Sequence, residues 1–138
     1  MQKLGELELA STLGAEKTAI RKAAGIAEEL GFSPDRIEDL KTAVAEACTN
    51  AIEHGNNFAA DTKVRVAFAA DECSLQVVVT DHGEKFDPEP LLQKGIADDD
   101  FPTRRGYGLF LIGNLVDDFS FEYQENGNSL TMLIHHRK

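Results

Sequence analysis

The sequence predicts an α+β domain, a two-layer sandwich in which helices cover one face of a mixed, largely antiparallel sheet. Three observations lead there. Two early stretches carry apolar residues at three- and four-residue spacing, two pairs of alternating stretches come after them, and a third helical pattern separates those pairs. The 138 residues, 42% of them apolar, suffice for one core, so residues 1–138 read as a single domain.

Leu4, Leu7 and Leu9 sit among charged neighbours and mark a first strand over residues 4–9. A turn at 11–14 leads into a helix over 15–30, with Ala19, Ala23, Ile26, Ala27 and Leu30 on one side and Gly31 as its stop. Ser33 caps a second helix with Pro34 at its first position. Its apolar stripe is Ile37, Leu40, Val44, Ala47, Cys48 and Ala51, and it ends between His54 and Asn57. Val64, Val66 and Phe68, then Leu75, Val77 and Val79, define strands over 63–70 and 74–80 turning at Asp71-Glu72. Leu109, Ile112 and Val116 give a helix over 108–116, and strands at 119–124 and 129–135 meet at Asn126-Gly127, a hairpin signal. Between Asp81 and Arg105 lie three of the four prolines and the run Asp98-Asp99-Asp100, with one short helical turn at 90–94. A connection longer than about 12–15 residues is commonly functional, and residues 88–105 read as a lid.

The 14 basic and 24 acidic residues leave a formal charge of -10, which repels nucleic-acid backbones and suits a protein partner with a basic face. No apolar run approaches the roughly 20 residues that span a bilayer, and the first residues lack the features of a secretory signal. A cytoplasmic location is the expectation. Cys48 and Cys73, without CxxC spacing, support neither a disulfide scaffold nor a four-ligand zinc site.

Three segments carry residues suited to chemistry. Glu46, Asn50, Glu53 and Asn57 recur at intervals of four, three and four, a pattern that a solvated helix face also produces. Asn offers a neutral oxygen to a metal, and Glu one turn earlier can take a proton; Mg²⁺ accepts such oxygens beside phosphate and water. Asp81-His82-Gly83 follows the strongest strand, where a carboxylate can accept from the exocyclic amine of adenine; D-x-G is also an ordinary turn. Arg104-Arg105-Gly106-Tyr107-Gly108 runs into a helix, where backbone N–H groups can cradle phosphate. It is not a Walker A loop, because no Lys-Ser pair comes after it.

Together EACTNAIEHG, VTDHGEKFDP and RRGYGLFLIGNLVDD resemble the three nucleotide-binding boxes of the ATPase superfamily shared by DNA gyrase, heat-shock chaperone ATPases and histidine kinases. Within it the chain is most similar to the bacterial anti-sigma factor serine/threonine kinases, and the resemblance spans nearly the whole sequence. It implies a fold of the kind read above, ATP and Mg²⁺ as ligands, and an assembly that is often a homodimer. It also implies two partners, a sigma factor that is sequestered and an anti-anti-sigma protein that is phosphorylated. By this resemblance Glu46 matches the general base, Asn50 the metal-binding asparagine, Asp81 the adenine-binding aspartate and Gly83 its companion. Gly106 and Gly108 match the phosphate loop, with Lys85, Phe86, Arg105 and Leu109 as further ATP contacts. Ser129 or Thr131 would supply a hydroxyl near adenine, and the role of His54 is open.

The match departs at Lys85, which precedes Phe86 where many relatives have the second glycine of D-x-G-x-G-F. Three activities remain open on these residues: a protein-serine kinase that binds a sigma factor, a nucleotide-gated binding module without phosphotransfer, and a detached histidine-kinase-type catalytic domain.

Overall fold

The computed structural model describes residues 1–85, 104–125 and 127–136, with residues 104–107 described as backbone. The elements are β1 (Gln2–Ala10), α1 (Glu16–Glu29), α2 (Pro34–Asn50), a π-helical turn (Ala51–Gly55), β2 (Lys63–Ala70), β3 (Ser74–Thr80), α3 (Arg104–Leu115), β4 (Asp118–Gln124) and β5 (Gly127–His135). The strand order is β1-β2-β3-β5-β4, and all four pairings are antiparallel. The parallel pair that a mixed sheet would contain is therefore not found among the described residues. The reason is topological: after the crossover it is β5, running opposite to β4, that lies beside β3.

Local chemistry sets the helix ends. Ser33 accepts the N–H of Arg36 on its side chain at 3.2 Å, with Pro34 at the first helical position of α2. Gly31 adopts φ +85, and the bonds Gly31 N to Glu28 O and Phe32 N to Ala27 O close α1 in a Schellman motif. Ala19, Ala23 and Ala27 are fully buried, so α1 meets α2 along small residues.

The helix layer packs against Val64, Val66, Phe68, Leu75, Val77, Leu130, Met132 and Ile134, all buried on one sheet face. At the end of the sheet remote from Asp81, buried Arg36 donates to Asp117 Oδ2, which also accepts the N–H of His135 at 2.6 Å. Such a pair is costly to break, because removing one partner strands the other charge inside. It anchors the start of α2 to the sheet.

The helix expected to run to 54–57 is α-helical only to Asn50. The π turn is closed by Asn56 N bonding Ala51 O at 2.8 Å, and the chain leaves it through Asn57 and Phe58 at φ 51 and 59. The extra residue of a π turn rotates the residues beyond it about the helix axis, so Glu53 and Asn57 do not prolong the Glu46–Asn50 face. No helix among the described residues is long and apolar enough to cross a membrane.

Cys48, on α2, is buried, and burial first, then the Glu16 charge, pushes its thiol up to about 12. Cys73 is exposed. At pH 8 a disulfide reagent is therefore expected to label one thiol per native chain and two in denaturant; rapid labelling of both in the native protein would show that the helix layer opens.

Candidate functional site

Asn50 is the last residue of α2 and is 8% exposed, yet its Oδ1 finds no hydrogen-bond partner among the described residues. A buried orphan acceptor of this kind costs roughly 1–3 kcal/mol. It opens on a cavity of about 10 Å³, the room of one water, which it shares with Ala47, Val79, Asp81, Phe121 and Asn128.

Asp81 leaves the end of β3 and is 4% exposed. Its Oδ1 accepts from Gly83 N at 2.7 Å, Asn128 Nδ2 at 3.2 Å and Asn128 N at 3.4 Å. Its own N–H donates to Asn128 O at 2.9 Å. Oδ2 accepts no hydrogen bond from the described residues and is the acceptor left over. The close packing around it requires glycine: a Cβ at Gly55 would lie 2.1 Å from Asp81 Oδ2, one at Gly83 2.3 Å from Gly55 O, and one at Gly127 2.1 Å from Asp81 O.

Glu46, half-buried, stands one helical turn before Asn50 on α2. A Cβ at Gly108 would come within 2.9 Å of Glu46 Oε2, so α3 passes directly over that carboxylate. The structure thus brings together Glu46, Asn50, Asp81, Gly83 and Gly108, with α2 as the shared floor.

Other expected positions fall differently. Helix α3 begins at Arg104, so Gly106 lies within its first turn and Gly108 beyond it, rather than in a loop before the helix. The N–H groups without an intrahelical partner are those of the first turn, which includes Gly106 and not Gly108. Leu109 is fully buried in the core and its side chain lines no described cavity. Lys85 lines an outer cavity of about 560 Å³ with His54, Gly55, Asn57, His82, Gly83 and Glu84. Phe86 and most of the lid at 88–105 lie outside the described residues, as does the side chain of Arg105.

Neither Ser129 nor Thr131 reaches Asp81. Ser129 Oγ pairs with Thr80 Oγ1 at 3.0 Å on the sheet face away from the helices. Asn128 is the β5 residue that does so, and sequence reasoning missed it because Asn126-Gly127-Asn128 reads as turn chemistry. Its pairing with Tyr123 on β4 makes it part of the strand. A larger cavity of about 620 Å³ reaches from Asp81 and His82 onto the open sheet face, where Glu8, Lys63, Arg65, Thr80 and Ser129 also line it. Asp81 lines both cavities, Asn50 the smaller one, and Glu46 neither.

The chain belongs to the family of histidine kinase-like ATPase domains, whose profile matches residues 9–134. Within that family its relatives are the RsbW serine-protein kinases. It is 38% identical over 106 residues to the serine-protein kinase RsbW of Oceanobacillus iheyensis, covering 73% of this chain and 67% of the relative. It is 35% identical over 133 residues to RsbW of Bacillus cereus, covering 91% of this chain and 82% of the relative. A crystal structure of the RsbU and RsbW domains of a Mycobacterium tuberculosis protein superposes with a TM-score of 0.67 at 22% identity. That match covers 95% of this chain and 32% of the larger one, and it supports the fold.

The orphaned Oδ1 makes Asn50 a residue kept against the interest of stability. Asn50→Leu, of similar volume, is expected to leave the urea midpoint of the ligand-free protein unchanged or raised while removing Mg²⁺-dependent nucleotide binding. A lowered midpoint would show that Asn50 holds the fold instead.

Proposed function

We propose that this chain is an ATP-dependent protein serine/threonine kinase and anti-sigma factor that phosphorylates a small anti-anti-sigma partner. The observation that carries the reading is the buried, unmatched Asn50 Oδ1 on a cavity that Asp81 also lines, with Glu46 one helical turn before Asn50. The RsbW relatives named serine-protein kinases support the reaction class.

Asp81 Oδ2 would accept the exocyclic amine of adenine, its other oxygen being engaged by Gly83 and Asn128. Guanine presents a carbonyl oxygen at that place, and two acceptors facing each other in a buried site discriminate strongly. The residues fit Mg²⁺: Asn50 would hold it through the orphaned Oδ1, and Glu46 stands close enough in sequence to share the centre. Mg²⁺ bound there supplies charge neutralisation for the phosphates.

Glu46 accepts the proton of the incoming hydroxyl. The serine oxygen forms its bond to the γ-phosphorus, the bond from that phosphorus to the β–γ bridging oxygen breaks, and ADP leaves. Alignment supplies most of the rate in such transfers, so a docked partner matters more than a strong base. The sigma partner follows from the resemblance and from the charge of -10, which suits a basic protein surface. Because a sigma factor works on transcription, the proposed site of action is the cytoplasm.

Incubation with labelled ATP and candidate partners, then phosphosite mapping, tests the kinase. Glu46→Gln is expected to keep ATP binding and lower transfer by about a hundredfold, the lower range for a positioned base. Label found only as free phosphate would leave a nucleotide-gated binder, and label on histidine would favour a sensor-kinase domain. Association with the sigma factor is expected to slow as salt rises; a rate indifferent to salt would remove the charge argument.

A further inference from the structure

The segment that leaves β3 is held from two sides. On one side Asn128 binds Asp81 Oδ1 and donates to Glu84 O at 2.9 Å. On the other, Asn56 accepts the N–H of His82 on its Oδ1 at 2.7 Å. Asn56 comes directly after the π turn and is 5% exposed. The nitrogen of the same amide donates away from the loop, to Ser11 Oγ at 2.9 Å and Lys63 O at 3.2 Å. Ser11 in turn donates to Thr62 O at 3.0 Å. One side chain therefore connects the loop after Asp81 to the end of β1 and the start of β2, and its two polar atoms serve different neighbours.

We propose that Asn56 is a positioning residue for base selection: by holding the peptide N–H of His82 it fixes the direction in which Asp81 Oδ2 faces the base. The proposal rests on the reading of Asp81 as the adenine acceptor. Asn56 acts through the backbone and touches no part of the Asp81 carboxylate. The geometry explains why this peptide needs an external partner. Asp81 N and Gly83 N are bonded to Asn128 O and Asp81 Oδ1, so His82 N is the link between them, and Asn56 supplies its acceptor. Gly55, one residue earlier, sets the same chain against Oδ2, so movement of Asn56 would also move the wall that the carboxylate faces. With His82 N released, the carboxylate can turn from an approaching guanine carbonyl, and the penalty against GTP falls.

The two ends of the amide can be separated by mutation. Ser11→Ala removes one partner of Asn56 Nδ2 and leaves the bond to His82 intact, whereas Asn56→Ala removes both. Melting temperature and calorimetric affinity for ATP and GTP, each with Mg²⁺, are measured on the full chain for the wild type and both variants. Both variants are expected to melt lower. Asn56→Ala alone is expected to reduce the ratio of GTP to ATP dissociation constants, by about fivefold for one lost hydrogen bond. Should Asn56→Ala not fold, Asn56→Ser, too short to reach His82 but able to bond nearby, carries the same ratio test. A ratio within twofold of wild type in the Asn56 variant, or an equal fall in Ser11→Ala, overturns the proposal and leaves ATP recognition by Asp81 standing. A wild-type protein with equal affinity for both purines overturns the Asp81 reading and this proposal with it.

Discussion

A Cβ at Gly55 would lie 2.1 Å from Asp81 Oδ2, and a Cβ at Gly83 would lie 2.3 Å from Gly55 O. This backbone-to-carboxylate approach is the constraint on which the ligand side of the domain depends. A side chain at either position would push the π turn off the β3 loop, and the cavity shared by Asn50 and Asp81 would open to water. Three chain segments distant in sequence meet there: the end of the α2 helical tract, the exit of β3 and the start of β5. Each contributes a glycine where another backbone comes closest, and two of them contribute a buried asparagine. The acidic side chain is thus presented by neutral groups, with one oxygen satisfied and the other accepting no hydrogen bond from the described residues.

The two ends of α2 do opposite jobs. At its start, Ser33 and Pro34 satisfy the backbone, and buried Arg36 pairs with Asp117, although its Nε finds no hydrogen-bond partner among the described residues. At its end the α-helix gives way to a π turn, and Asn50 Oδ1 is left unmatched. A helix anchored in this way can hold Glu46 and Asn50 in fixed relation without further contacts between them, which is what a reaction governed by alignment requires.

The strands Lys63–Ala70 and Ser74–Thr80 were fully legible, because Val64, Val66 and Phe68, then Leu75, Val77 and Val79, recur at every second position and Asp71-Glu72 marks the turn between them. Asp81 was legible too, since it comes directly after the second of those strands. What could not be read was anything set by register or by a change of helical period. Asn128 looks like turn chemistry until β5 is paired with β3 and β4, and Asn56 looks like the frayed end of a helix until the π turn brings it beside His82. Gly106 and Gly108 were read as a phosphate loop running into a helix over 108–116. In the fold both lie inside α3, where Gly108 allows that helix to pass over Glu46. Leu109 was assigned to the ligand by resemblance alone, and the helical phase turns it into the core.

The charge of the chain bears on how such a site can hold a polyanion. At -10 overall, and with Asp81 as the ionisable side chain that lines the cavity, the described surroundings repel a triphosphate. The asparagines are neutral, and the helix N-terminus of α3 supplies partial charge only over its first turn. Lys85 stands on the outer cavity beside His82 and Glu84, at the base end of the site, and does not line the cavity shared by Asn50 and Asp81. A nucleotide held here, as proposed, would therefore need a divalent cation to neutralise its phosphates. On the proposed reading, a site built on neutral amides would gain in selectivity, because it would bind only what matches its hydrogen bonds, and nucleotide affinity would depend on the supply of metal.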